Sequence, residues 1–567
     1  MPSLNWIGKE AVEHHHKEVP YRLVHCDGSL SAGDPDAGNL LVQGDNLEAL
    51  KALLPYYGGQ VKCIYIDPPF NTGAEDWIYN DNSNDPQIRA WLGKYVGDEA
   101  SDLSRHDKWL CMMYPRARLL RDFLRLDGTL FLHIDDNELA YSIALFDEIF
   151  GRHNRLYVIA FKQASATGHK AINPGCVNIV NHIIIYAKSK AHWTPNRVFT
   201  GRERDKRYSS WIVNPDAPHS TWKITTLMNG FAAANGISLA DARKLAKASP
   251  ELIDDFVLEN ASSVCQLVTP DYNNVGQDTQ KAIDLSTERP SEIFKVEREG
   301  YSDIYLKGGK RILFYRDKIK IIDGVAVSGE PLTTLWDDLL SNNIHNEGGV
   351  PFPKGKKPEA LLKRCFELAT SRNSADIVMD SFCGSGTTAA VAMKMGLRFI
   401  TVEMGEHAES HAAKRLRAVV SGEDQSGVSR DLKWRGGSGF RYCRLGVPLF
   451  NEFGDIDGEV SFPDLAAHIF FAETGAPIPT RAQVGNAYLG KHGEKAVYLL
   501  YAQGQAGMPR EALGNVLTPD ALVALPPPPK GFEGTRVVYA EGSTVSPDRL
   551  KAEGVMFKQI PYQIEGV

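Results

Sequence analysis

The sequence lacks the features that mark membrane-spanning and secreted proteins. No apolar run approaches the ~20 residues that a bilayer span needs, and the first twelve residues contain no apolar core with a small-residue cleavage site. Hydrophobic residues make up 43% of the 567 residues, charged residues 23%, and the formal net charge is −7. These values predict a globular cytoplasmic protein with about three or four domains of roughly 100–200 residues each.

The cysteines and histidines lack the spacing of a metal site. None of the eight cysteines belongs to a C-x-x-C pair, which argues against zinc ligands and against a disulfide framework. Reduced, mostly buried thiols are the expected state. The triplet His14-His15-His16 has no ligand-spaced partner and is interpreted as a solvated segment. The sequence therefore predicts no bound metal ion.

Several catalytic motifs are also missing. No G-x-x-x-x-G-K-[ST] is present, which excludes ATP hydrolysis by a P-loop in this chain. No cysteine follows a proline, which disfavours carbon-5 methylation of cytosine, since that chemistry usually takes its cysteine nucleophile from a Pro-Cys pair. No P-D…E-x-K nuclease pattern is found, so DNA cleavage would fall to another subunit.

Short apolar runs alternate with amphipathic ones in two separated parts of the chain. Residues 39–190 contain predicted strands at 61–66 and 129–134, the second after a turn at Asp127-Gly128, and residues 331–420 contain strands at 376–379 and 398–402. Such alternation is typical of an α/β fold with one mostly parallel sheet. Residues 191–330 lack it and are predicted to form an inserted domain.

The remaining parts of the chain have less pronounced patterns. Residues 1–38 are predicted to be an N-terminal extension. Residues 422–429 are interpreted as a linker, and residues 430–567 are predicted to form a C-terminal domain with strands at 496–502 and 536–539.

A glycine loop, D-S-F-C-G-S-G-T-T at 380–388, follows an apolar strand and opens a helix. Small residues at Gly384 and Gly386 let the backbone turn closely around a nucleotide-like ligand. About twenty residues later Glu403 ends the next strand, where a carboxylate can accept hydrogen bonds from ribose hydroxyls. Thr387-Thr388 stand where a dinucleotide loop would continue toward its third glycine, so a nicotinamide site matches poorly. Considered alone, the loop also fits an ordinary strand-to-helix turn.

A proline loop, Asp67-Pro68-Pro69-Phe70, ends the strand at 61–66. Two prolines stop the strand and stiffen the loop, and the carboxyl ends of strands are where ligands bind in open α/β sheets. Methylation of an exocyclic base amine needs acceptors that orient the nitrogen lone pair, and Asp67 with the carbonyl of Pro68 suits that task. Phe70 can stack on a base flipped out of a duplex.

Both loops belong to a set of segments that resembles the amino-methyltransferases of bacterial restriction-modification systems, and most closely the modification subunits of type III systems. The segments are L-V-Q-G-D-N-L at 41–47, Y-I-D-P-P-F-N-T-G at 65–73, L-F-L-H-I-D-D-N-E at 130–138, K-P-E-A-L-L-K-R at 357–364 and S-F-C-G-S-G-T-T at 381–388. Their order is similar to the β group, in which a target-recognition domain separates the catalytic half from the cofactor half.

The resemblance implies a Rossmann-like, S-adenosylmethionine-dependent methyltransferase fold with an antiparallel edge strand, an inserted target-recognition domain and a small α/β C-terminal domain. It implies Asp45 near the cofactor's adenine, Phe382 with Gly384 along its methionine part, and Lys357-Pro358 beside the methionine end. The predicted cofactor-binding residues are Asp45, Asn46, Lys357, Pro358, Asp380, Phe382, Gly384, Gly386, Thr387 and Glu403.

The resemblance also implies a reaction and partners. An aspartate at the start of the catalytic loop resembles adenine-N6 enzymes, and the implied partners are double-stranded DNA, a second copy of the chain and an ATP-dependent restriction subunit. The alternatives left open are another substrate, namely cytosine N4, RNA or a protein amide, and a catalytically silent DNA-specificity subunit.

The insert contains basic residues interleaved with aromatic ones over 294–320, a composition suited to phosphate contact and base stacking. The same composition occurs on ordinary β-domain surfaces. The predicted DNA-binding residues are Lys295, Lys307, Lys310, Arg311 and Arg316.

Overall fold

The computed structural model describes residues 4–71, 102–166, 175–339, 344–352, 355–451, 453–502 and 514–561; Thr72 and Gly73 of the catalytic motif lie outside these ranges. The strands, numbered along the chain, are β1 Arg22–Gly33, β2 Leu40–Gln43, β3 Val61–Ile66, β4 Leu124–Ile134, β5 Arg155–Lys162, β6 Val180–Ala187, β7 Phe199–Gly201, β8 Ser210–Ile212, β9 Ile224–Thr226, β10 Val264–Val268, β11 Ile293–Val296, β12 Ile304–Lys307, β13 Lys310–Phe314, β14 Ile319–Ile322, β15 Val325–Pro331, β16 Leu335–Trp336, β17 Ile377–Asp380, β18 Arg398–Glu403, β19 Gly439–Pro448, β20 Tyr488–His492, β21 Lys495–Leu500, β22 Val516–Leu517, β23 Thr535–Ala540, β24 Gly542–Ser543 and β25 Val555–Gln559.

The helices are α1 Lys9–Val12, α2 His15–Glu18, α3 Asn46–Tyr57, α4 Asp102–Phe123, α5 Leu139–Phe146, α6 Leu227–Asn235, α7 Leu239–Ala248, α8 Pro250–Glu259, α9 Gln277–Glu288, α10 Glu359–Ala369, α11 Thr387–Lys394, α12 Lys414–Ser421, α13 Phe462–Thr474, α14 Pro519–Ala524 and α15 Pro547–Ala552. Among the described helices, none is long and apolar enough to cross a membrane. All eight cysteines are free thiols, and six of them are buried.

A ten-stranded sheet has the order β1-β19-β2-β18-β17-β3-β4-β6-β5-β16. The strands from β19 to β4 pair in parallel, as do β5 and β16, whereas β1 with β19 and β6 with its two neighbours pair antiparallel. The predicted α/β class with a mostly parallel sheet is therefore confirmed. The central strands are buried on both faces, which is why β3 and β17 read as nearly continuous apolar runs.

The edges of the sheet contain strands that the sequence analysis does not assign to it. β1 lies in the part interpreted as an N-terminal extension, and β19 lies in the part interpreted as a C-terminal domain. β1 is only sparsely buried, so its residues show no clear apolar alternation. β5 was also not predicted. The predicted domain boundaries themselves remain predictions.

Two local interpretations are wrong. The predicted turn at Asp127-Gly128 lies inside β4, where the register to β3 shifts, and Lys62 Nζ stands 2.9 Å from the carboxylate of Asp127. The triplet at 14–16 is not simply solvated, because His15 in α2 is buried.

The predicted linker at 422–429 is wrong as well, because a buried ionic cluster ties it to the sheet's helices. Lys394 Nζ lies 2.8 Å from both Glu359 Oε2 and Asp424 Oδ2, and Arg415 Nη2 lies 2.7 Å from Glu359 Oε1. Arg415 also donates to Thr387 Oγ1 at 2.8 Å. Buried charges need such partners, and here they join α10, α11 and α12 behind the glycine loop.

Residues 197–333 form a separate compact unit. It contains a six-stranded sheet of order β11-β12-β13-β10-β8-β9, a three-stranded sheet of order β14-β15-β7, and the helices α6 to α9. Its main core includes Tyr208, Phe231, Phe256 and Tyr315. The unit is more helical than its turn-rich sequence indicates.

The chain after the large sheet forms a four-stranded sheet of order β20-β21-β23-β25, with α13 packed against β20 and β21. Its core includes Leu465, Val497 and Val537. Glu473 accepts from Lys495, Lys558 and Tyr539, which ties α13 to three elements of this sheet.

Candidate active site

The proline loop and the glycine loop leave the same edge of the sheet. β3 pairs in parallel with β17, β17 with β18, and β18 with β2, so their carboxyl ends lie side by side. Asp67 follows β3, Asp380 ends β17 and Glu403 ends β18. Three carboxylates therefore converge where ligands bind in sheets of this kind.

The proline loop is anchored on both sides. Trp109 Nε1 donates to the carbonyl of Pro69 at 2.8 Å. Asn71, in the left-handed region at φ 55°, donates from its amide to the buried carboxylate of Glu138. His106 Nδ1 lies 2.5 Å from the same carboxylate. The backbone that carries Asp67 is thus held by proline geometry and by side chains from two other elements.

The two oxygens of Asp67 have different surroundings. Oδ2 lies 2.5 Å from Lys357 Nζ. Oδ1 is buried and has no hydrogen-bond partner among the described residues. Burial raises the pKa of Asp67, the Lys357 ammonium opposes that rise, and the nearby charge of Asp135 adds to it.

Phe70 lies half-buried beside this carboxylate. Its ring centroid is 4.7 Å from Lys357 Nζ and 5.8 Å from the ring of His133. His133 is held between the Tyr65 hydroxyl at 2.8 Å and the Asn181 amide at 3.1 Å. Burial keeps the pKa of His133 well below its usual value, so this imidazole is neutral. The ring of Phe70 therefore lies between the neutral imidazole of His133 and the ammonium group of Lys357.

The glycine loop takes its shape from two left-handed glycines and two carboxylates. Gly384, at φ 53°, donates its N–H to Glu403 Oε2 at 2.7 Å. A Cβ on Gly384 would meet only the ring of Phe352, at 3.9 Å, among the described atoms. Gly386, at φ 79°, is closely packed, and a Cβ there would lie 3.1 Å from the Cα of Ala412.

The carboxylate of Asp380 is used within the loop. Oδ1 accepts from the Phe382 N–H at 2.8 Å, and Oδ2 accepts from the Thr388 hydroxyl at 2.6 Å. Burial raises the pKa of Asp380 to about 7, and the charges of Asp67 and Glu403 add to this rise. Burial also raises the pKa of Glu403, although backbone N–H groups oppose it.

Other predicted cofactor residues have structural partners. Asp45 caps α3 by accepting from the Leu47 N–H at 2.8 Å, and it pairs with Arg116 at 3.0 Å. Asn46 donates to the carbonyl of Ser381 at 2.8 Å, which links the end of β2 to the glycine loop.

The rest of that set lies close to the two loops. Phe382 is buried in the main core, Thr387 accepts from Arg415, and Pro358 directly precedes α10. Lys357, expected at the methionine end of a cofactor, contacts Asp67 instead. Cofactor binding by the whole set stays a prediction.

Sequence reasoning missed the residues that support the loops. Trp109 and Arg116 lie in α4. His133 lies in β4, and Glu138 lies in the turn that follows it. A signal was available, since His133 is a polar residue inside the apolar run L-F-L-H-I and is completely buried.

The predicted DNA-binding residues all lie in the unit of residues 197–333. Lys295 is paired with Glu297 at 2.8 Å and Asp303 at 3.0 Å, so its charge is largely matched. Arg316 is exposed and its guanidinium lies 4.4 Å from the ring of Phe314. Lys310 is exposed, whereas Lys307 and Arg311 are half-buried. Their role in DNA binding stays a prediction.

Comparison with known proteins identifies a family to which the chain is similar. A family model described as a DNA methylase matches residues 61–414. The chain is 30% identical over 450 residues to the probable type III restriction-modification enzyme HindVI Mod subunit of Haemophilus influenzae, covering 76% of this chain and 55% of that protein. It is 27% identical over 526 residues to the EcoP15I Mod subunit of Escherichia coli, covering 83% and 74%.

Similarity to solved structures is weaker. The PvuII DNA methyltransferase (cytosine-N4-specific) is 11% identical, with 70% of this chain and 95% of that chain covered, at a TM-score of 0.32. The chain spans about half to three quarters of the length of the two Mod subunits. Since the family model covers more than half of the chain, and includes both loops, the protein belongs to the DNA methylase (N6/N4 methyltransferase) family.

Proposed function

We propose that this protein is an S-adenosylmethionine-dependent DNA methyltransferase that modifies adenine N6 as the modification component of a restriction-modification system. The observation that carries the proposal is the buried Oδ1 of Asp67, which has no partner among the described residues and stands at the strand end of a DNA methylase. The names of the similar Mod subunits support the restriction-modification context.

The glycine loop and its neighbours fit S-adenosylmethionine. Gly384 leaves space beside the backbone that a side chain would narrow, and Glu403 ends the adjacent strand as a ribose-binding carboxylate would. The acidic side chains of Asp67 and Glu403 lie at this edge, which suits a ligand with a positive sulfonium. When bound, the cofactor supplies an electrophilic methyl group.

The proline loop orients the acceptor amine. Asp67 Oδ1 accepts one N–H of the base, and the carbonyl of Pro68, next to the Pro69 carbonyl that Trp109 holds, accepts the other. Two acceptors turn the nitrogen lone pair out of conjugation and toward the methyl donor. Phe70 supplies the stacking face for the flipped base.

The other parts of the chain are assigned supporting tasks. Residues 191–330 are the target-recognition domain, with Lys310, Arg311 and Arg316 as phosphate contacts. Residues 430–567 form the small α/β C-terminal domain and take part in assembly, either into a homodimer or with an ATP-dependent restriction subunit. Light scattering of the purified protein, alone and mixed with a co-expressed restriction subunit, tests both assemblies.

The reaction is tested with labelled S-adenosylmethionine and genomic DNA from a host that lacks the modification. Single-molecule sequencing then maps the modified bases. We expect label in adenine at one recurrent sequence, and no label with Asp67→Ala. Label in cytosine N4 would change the substrate and keep the loop chemistry, and undiminished transfer by Asp67→Ala would overturn the mechanism.

A further inference from the structure

Lys357 forms an ion pair with the carboxylate of Asp67 at the end of β3. Lys357 directly precedes Pro358 and α10, and its ammonium reaches the carboxyl end of β3. The distance from Nζ to Asp67 Oδ2 is 2.5 Å, and the two side chains are 12% and 17% exposed. The same ammonium lies 4.7 Å from the centroid of Phe70 and 3.3 Å from the Gly355 carbonyl.

This contact divides the carboxylate into an occupied and an available oxygen. Oδ2 is taken by Lys357, whereas Oδ1 is buried and accepts no hydrogen bond from the described residues. A buried carboxylate oxygen without a donor is costly to the folded protein. A base N–H directed at Oδ1 would satisfy it without displacing the lysine.

The surroundings of Asp67 otherwise work against its ionisation. Asp135, from the turn after β4, and Asp380, from β17, place negative charge near Asp67, and the neighbouring Tyr65 phenol is neutral because its pKa is raised by burial and by Asp67. Lys357 is the cation that offsets them among the described residues. A protonated Asp67 would lose much of its strength as an acceptor for an amine N–H.

We propose that Lys357 is a positioning residue for methyl transfer: it keeps Asp67 ionised and holds Oδ2, so that Oδ1 remains available to the amine of the target base. This inference rests on the proposed function. It differs from the expectation that Lys357 binds the methionine end of the cofactor, because the observed partner is the catalytic carboxylate.

The test uses the full chain with Lys357→Met, which removes the charge and keeps the length, and Lys357→Arg, which keeps the charge. Steady-state methylation of a duplex containing the mapped site is measured from pH 6 to pH 9, and cofactor affinity is measured by calorimetry without DNA. Lys414→Met, which changes an exposed lysine of α12, is the matched control.

We expect Lys357→Met to lower kcat by about tenfold or more at pH 7, because losing an adjacent opposite charge raises the pKa of a carboxyl group. The loss shrinks at pH 9, where Asp67 ionises even without the lysine. KM for DNA and the cofactor Kd stay within about threefold of the wild type. Lys357→Arg restores most of the rate, and Lys414→Met resembles the wild type.

Three results would overturn the inference. One is a cofactor Kd weakened about tenfold with an unchanged pH profile, which would make Lys357 a cofactor ligand. Another is a higher kcat for Lys357→Met than for the wild type, which would mean that Lys357 blocks the binding of the target base. The third is an equal loss of kcat at every pH in Lys357→Met and Lys357→Arg. If Lys357→Met fails to fold, Lys357→Gln replaces it in this comparison. A wild-type protein that methylates no DNA would instead overturn the proposed function.

Discussion

The proline loop and the glycine loop begin at neighbouring strand ends, yet they use their carboxylates in opposite ways. In the glycine loop, Asp380 uses both oxygens on the loop itself, and Glu403 holds the Gly384 N–H. In the proline loop, no described residue of the loop donates to the Asp67 carboxylate, and Trp109 and Glu138 hold the backbone. Because other groups shape the proline loop, Oδ1 of its carboxylate stays available for chemistry.

The largest expected effect comes from Asp67→Asn. The amide keeps the shape of the side chain but loses the charge and presents a donor at one of its two positions, so kcat should fall by about 10²–10³-fold. Cofactor affinity and thermal stability should change little. Asp136→Asn, at an exposed position in the turn directly after β4, is the control. Equal losses in the two variants would remove the special status of Asp67.

The two glycines of the glycine loop should differ in stability. Both have positive φ, so alanine costs about 1 kcal/mol at either position. Gly386→Ala also brings a Cβ to 3.1 Å from the Cα of Ala412, so the free energy of unfolding should fall by about 2–3 kcal/mol in total. Urea denaturation of both variants measures the difference. A larger loss for Gly384→Ala would contradict the packing described here.

Glu403→Gln should weaken cofactor binding by about tenfold, because the side chain loses its charge where it holds the Gly384 N–H. Calorimetric titration with S-adenosylmethionine measures this change, and DNA binding should be unaffected. Glu406→Gln changes an exposed glutamate three residues later and serves as the control. Unaltered affinity in Glu403→Gln would show that the carboxylate serves only the loop.

The smallest effect is expected from Trp109→Phe, which removes the donor to the Pro69 carbonyl. A looser proline loop should lower kcat by about threefold. Trp434→Phe is a matched control, because Trp434 Nε1 also donates to a backbone carbonyl, that of Val419, at 2.8 Å and away from both loops. Both variants should lose some stability, but only Trp109→Phe should lose activity. Equal kcat values would mean that the prolines alone fix the loop.

Much of the sheet could be predicted because its signals are local. β3 was predicted with the bounds that the structure has, since a buried parallel strand is a continuous apolar run stopped by prolines. β1 was not predicted, because an exposed edge strand has no such run and is defined by its pairing with β19. The segment after Ser421 was wrongly interpreted as a linker because its structure also depends on a residue distant in sequence: Asp424 is buried in an ion pair with Lys394.

The candidate site likewise has features that neighbouring residues determine and features that depend on contacts between distant residues. The sequence by itself determined that an aspartate and a stacking ring follow β3, and that glycines and a carboxylate follow β17 and β18, because strand ends, proline stiffness and glycine freedom are properties of neighbouring residues. Only the tertiary structure decided that Lys357 meets Asp67 and that one oxygen of this carboxylate stays available. Such pairings depend on which strands lie side by side, and no local pattern records that order.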